Sequence, residues 1–179
     1  MAKSSDKYHI SLRIVHWLMA VMILGLIVLG WFMQGLDKDV SYRNDLYGLH
    51  KSFGVTVLFL VVLRVALRIS TVIPPLPETL PKFIRKVAHL VHHIIYLFIF
   101  AVPISGYMMS NMFGYGVSWF GISLPKLFSP NKEIGGLAHE AHAILPYMLL
   151  ALVTLHVAGA IKHKFFEKDK RNDVLKRML

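Results

Sequence analysis

Apolar residues in this chain come in four long runs separated by short polar stretches. The runs cover roughly residues 12–33, 46–69, 87–110 and 137–165. Each is near the length of about 20 residues that an α-helix needs to cross the hydrocarbon core of a bilayer. The pattern predicts an all-α membrane protein of one domain, residues 1–179, built as a four-helix transmembrane bundle. The polar leader before the first run resembles the flank of a signal peptide. That run is too long for a signal's apolar core, however, and no small-residue cleavage site ends it cleanly. It is read as a retained span, anchored by Trp17 on one side and Trp31 on the other.

Between the runs, each polar stretch suggests its own structure. Thr71–Pro81 carries Pro74, Pro75, Pro77 and Pro81 and is expected to be a stiff, non-helical connector. Pro103 and Gly106 fall inside the third run, where neighbouring helices can satisfy a loosened backbone. The stretch 111–136, with Trp119-Phe120-Gly121 and Pro125, is long enough to be functional and is expected to lie as a lid at the membrane interface. The basic tail 167–179 has two readings. It is solvated, or it lies on the membrane surface through Val174, Leu175, Met178 and Leu179.

Composition supports the membrane reading. Hydrophobic residues are 55% of the 179 and charged ones 17%, too few for the surface of a soluble domain. With no cysteine, disulfides, thiolate-held iron–sulfur clusters, covalent haem attachment and catalytic thiols are all excluded. The net charge of +10 is not a nucleic-acid footprint. Four spans leave the two ends and the middle connector on one side. Fifteen of the twenty basic residues, from Lys3 to Arg177, fall there, while the ten acidic residues split evenly between the sides. By the positive-inside rule both termini are cytoplasmic.

Histidine brings in the chemistry. His142 and His156 lie fourteen residues apart in the last run. At about 100° and 1.5 Å per residue they share nearly one helix face, roughly 21 Å apart along the axis. An imidazole in hydrocarbon is costly and usually functional. With the N-terminus inside, His16 of the first span reaches the depth of His156, and His50 of the second that of His142. Two couples at two depths, each joining two helices, meet the requirement of bis-histidine ligation of two b-type haems. Ala20, Gly54, Pro146 and Ala160 follow the four histidines by one turn, and small residues there would make room for a flat macrocycle, or for close helix packing. His139 competes with His142 but is turned about 100° from the face of His156. His89, His92, His93 and Tyr96 share a face of the third span and could replace His16 as ligand, line a quinone pocket, bond propionates or be solvated. Arg13, Arg64, Arg68, Lys162, His163 and Lys164 could offer charge to the inner haem's propionates, though snorkelling explains most such cations. Lys51 could do the same for the outer haem.

The chain as a whole resembles the bacterial cytochrome b561 family of b-type membrane cytochromes. The residues that carry the resemblance are His16-Trp17, His50 with Gly54, and Arg64 with Arg68. They continue with His89-Leu-Val-His92 through Tyr96, Pro103 and Gly106, then His142, His156 and Lys162-His163, and the closing Asp173-Val-Leu-Lys-Arg-Met-Leu. The resemblance implies four spans in a bacterial inner membrane, two non-covalent haems b and electron transfer linked to the quinone pool. For some members it implies superoxide as donor and ubiquinone as acceptor, hence a quinone-linked oxidoreductase. Two rivals stand beside this reading. One is a cytochrome subunit anchoring a separate hydrogenase or dehydrogenase. The other is a histidine-based proton or metal transporter, which intramembrane carboxylates would favour; only Glu140 comes close.

Overall fold

The computed structural model describes residues 7–179, so Lys3, counted above among the basic residues, lies outside the described part. Four helices carry the chain: α1 (Ile10–Gln34), α2 (Arg43–Ser70), α3 (Lys82–Met112) and α4 (Lys132–Phe165). All four are long and apolar enough to cross a membrane. Each starts before its apolar run, because capping rather than hydrophobicity decides where a helix begins. The His9 ring accepts the Ser11 backbone N–H ahead of α1. Asn131 caps α4 by accepting from the N–H groups of Glu133 and Ile134, both at 3.1 Å. Pro81, with φ −54°, launches α3 five residues ahead of its apolar run. Pro103 and Pro146 sit inside continuous helices.

The bundle's outside is as apolar as its inside, with Val21, Val28, Leu97 and Leu155 all exposed. That is the distribution of a helix bundle whose solvent is lipid. Its core is a layer of aliphatic side chains at mid-depth: Val15, Met19, Val57, Val61, Ile99 and Leu149. Val61 and Leu149 are 0% and 2% exposed. Leu149 lies seven residues from both His142 and His156, and Val57 seven from His50. Two helical turns separate such positions on one face, so Leu149 and Val57 lie between the two histidine levels.

Both ends of the described chain meet the connector at one end of the bundle. The Tyr8 N–H donates to the Arg177 carbonyl at 3.1 Å, and Arg177 donates to Pro75 O at 2.7 Å. The tail forms two short 3-10 turns, Lys170–Asn172 and Leu175–Arg177, with Lys168, Lys170, Arg171 and Lys176 exposed and a few contacts that tie it to the bundle. Trp17 Nε1 donates to Met178 O at 2.8 Å. Asn172, only 4% exposed, accepts from the Thr79 hydroxyl of the connector and donates to Glu167. A buried amide so bonded on both sides ties the tail to the bundle, and a charge count does not reveal it.

At the opposite end, α3 and α4 are joined by a loop containing a minimal hairpin, β1 (Ser118–Trp119) and β2 (Ile122–Ser123). Its two turn residues, Phe120 and Gly121, have φ +46° and +91°, the pair of positive values that a two-residue hairpin turn needs. Phe120 bears the cost of a left-handed backbone, roughly 1–2 kcal/mol. Contacts with α2 hold it there: its N–H donates to Ser52 Oγ at 3.0 Å, and its ring meets Phe53 edge-on. Trp119 Nε1 donates to Thr56 Oγ1 at 3.0 Å. The expected lid is therefore a pinned hairpin against α2.

Candidate functional site

The backbones pack in sequence order, α1 with α2, α2 with α3 and α3 with α4. Among the described residues, α4 stands off from α1 and α2. Both histidine couples reach across that gap. His50 of α2 faces His142 of α4 with ring centres 6.1 Å apart and planes at 88°. His16 of α1 faces His156 of α4 at 6.3 Å and 73°. A metal–imidazole bond is about 2 Å long, which puts two imidazoles on opposite faces of one iron roughly 6–6.5 Å apart between ring centres. Both couples have that spacing. Among the described residues no three His, Cys, Asp or Glu side chains gather as a bare ion would need, so the couples differ from a zinc-type centre with three or four protein ligands.

The couple at the hairpin end borders a cavity between the four helices, with Gly30, Gly54, Gly106 and Pro146 in its wall. Its volume is about 240 Å³, and it is partly open to the surroundings. A Cβ on Gly54 would meet nothing within 4 Å, so the wall there is hollow. His50 Nδ1 is buried and has no hydrogen-bond partner, the kind of vacancy that native interiors seldom leave without a reason. His142 is anchored differently. Its Nδ1 lies 2.9 Å from Val102 O and 3.2 Å from Ser105 Oγ, both on α3. Open space beside Gly54, opposed imidazoles and small wall residues together fit a macrocycle that carries iron. His139 borders the same cavity, and its ring is not paired with His50 in the way that of His142 is.

At the terminal end the couple is more crowded. The His92 ring lies 5.0 Å from His156, too close for an iron between them on the spacing above. Its Nδ1 contacts Ala88 O at 2.6 Å, and that of His93 contacts His89 O at 2.7 Å. Arg64 donates from Nε to Tyr96 Oη and from one terminal nitrogen to Leu12 O, both at 3.1 Å. The buried Arg13 Nε has no hydrogen-bond partner. His163 Nδ1 is 3.3 Å from the carboxylate of Glu167, four residues on, the spacing that a helical turn brings together. Lys51, expected near the other couple, donates to Gly116 O at 3.3 Å.

Comparison with known proteins identifies the family. The family model described as prokaryotic cytochrome b561 matches residues 7–179. Among similar proteins is cytochrome b561 homolog 2 of Escherichia coli (strain K12), 33% identical over 175 residues, which are 97% of this chain and 92% of that protein. Matched along nearly its whole length by that model and by this relative, the chain belongs to the prokaryotic cytochrome b561 family, the b-type membrane cytochromes that bind haem b and take part in electron transfer.

Proposed function

We propose that this cytochrome holds two haems b, one at each histidine level. His50 and His142 bind the iron at the hairpin end; His16 and His156 bind the iron at the end carrying the termini. One observation carries the reading: two imidazole couples, 6.1 and 6.3 Å between ring centres, span the same interhelical gap at two depths. Each bound haem supplies one-electron chemistry, and the chain supplies its position and surroundings. Arg13, with an unpartnered buried Nε, is the first donor available to a propionate at the terminal end. Arg64 is held beside it by Tyr96 and Leu12, and His163 can serve once it leaves Glu167.

Both termini lie on the cytoplasmic side of a bacterial inner membrane in this reading, because the basic residues concentrate at that end. The hairpin end then faces the periplasm. Its cavity is also lined by Gln34, Tyr47 and Lys51, polar side chains of the kind that would hydrogen-bond the oxygens of a quinone. The activity that joins these parts is electron transfer from a periplasmic donor, superoxide or a redox protein, to the quinone pool. The test is a reduced-minus-oxidised visible spectrum of the purified chain, with haem and protein both quantified. Two low-spin b haems per chain are expected, and superoxide should reduce them and then added ubiquinone. One haem or none would end the two-level reading; two haems inert to quinone would end the quinone link alone.

A further inference from the structure

The position of the His142 ring follows from a notch in α3. Gly106 faces the ring so closely that a Cβ there would lie 2.8 Å from Cε1, 3.0 Å from Nδ1 and 3.3 Å from Nε2 of His142. Only the missing side chain lets the imidazole lie against α3. Once there, Nδ1 meets the Val102 carbonyl at 2.9 Å. A carbonyl oxygen can only accept, so Nδ1 carries the proton and Nε2 keeps its lone pair in the neutral ring. The Ser105 hydroxyl donates to the same carbonyl at 2.8 Å. With its hydrogen so engaged, its oxygen is free to accept from Nδ1–H at 3.2 Å. The ring N–H is thereby shared between two acceptors, both supplied by one turn of α3. His50, the opposing imidazole, has no such partner on its buried Nδ1.

We propose that Ser105 and Gly106 are positioning residues for the hairpin-end haem. Together with the Val102 carbonyl they fix the tautomer and plane of His142 and set the electron density it gives to the iron. The inference rests on the reading of His142 as an iron ligand. An acceptor on the far nitrogen of a ligating imidazole raises its basicity and holds its plane. A more basic ligand favours the ferric state, so losing an acceptor should raise the midpoint potential. The two imidazoles of this couple would contribute unequally, with His142 the stronger donor.

Three variants test this in the haem-loaded protein, read by redox titration and by the low-spin ferric EPR signal. Ser105→Ala should raise one of the two midpoint potentials and shift one of the two g patterns, leaving the other haem unmoved. Ser105→Thr, which keeps the hydroxyl, should restore the wild-type potential. Gly106→Ala should displace the ring and convert the same haem to a high-spin form or lose it. If Gly106→Ala does not fold, the serine pair decides. An unmoved or lowered potential in Ser105→Ala, or identical behaviour of the Ala and Thr variants, overturns the proposal. His142→Ala separates this from the ligand reading. If it keeps both haems, the ligand assignment fails and takes the notch with it. If it loses one haem while Ser105→Ala is silent, the ligand stands and only the notch is wrong.

Discussion

The two histidine couples have nearly the same spacing between rings, yet they are built differently. At the hairpin end, His142 is clamped by the backbone of a neighbouring helix, and glycines line a hollow around the couple. At the terminal end, His156 has two imidazole neighbours, His16 and His92, and cations rather than a carbonyl notch stand nearby. One level is fixed by main-chain geometry, which substitutions elsewhere hardly alter. The other is selected among side chains. The first should therefore be rigid and specific, and the second tolerant and tunable.

The largest effect expected is at the rigid level. His142→Ala should remove one haem and spare the other, measured as half the haem-to-protein ratio. The terminal level is probed next, by comparing His16→Ala with His92→Ala. The first should lose the terminal-end haem; the second should keep both, with a modest spectral shift. The reverse result would make His92 the ligand and spoil the symmetry of the couples. Smaller effects concern how each end is fastened. Asn172→Ala removes a buried amide joining Thr79 to Glu167, and should cost about 1–3 kcal/mol. Hydrogen exchange should then quicken in the tail and connector before the hairpin. Trp119→Phe deletes the bond to Thr56, worth about 1 kcal/mol, trims the ring packed against Phe59, and should loosen the hairpin while leaving the tail protected. Uniform loosening in both variants would mean that the two ends are not independent.

Much of this molecule could be read from its sequence, for definite physical reasons. Hydrocarbon demands unbroken apolar length, so four runs became four helices. The cost of a histidine in lipid, combined with the helical repeat, put His142 and His156 on one face and paired them with His50 and His16. What could not be read depends on how helices cross. Pro103 and Gly106 were visible as breakers, but that Gly106 vacates space for an imidazole follows only from α4 lying against α3. The His92 ring beside His156 depends on rotation about helix axes that periodicity leaves loose, whereas Glu167 beside His163 is a four-residue spacing that the sequence does carry. The tail's lysines are exposed as its charges suggest, but that a single buried amide, Asn172, fastens it to the bundle could not be read from them.

The aliphatic layer around Val57, Val61 and Leu149 has a consequence for energy conversion. Its six buried side chains carry no titratable group, so they offer a proton no relay, while an electron can tunnel through saturated carbon. Traffic between the two levels would then be electronic alone and uncompensated. Each transfer along the membrane normal would work with or against the transmembrane voltage, up to about 2.3 kcal/mol per 100 mV for a full crossing.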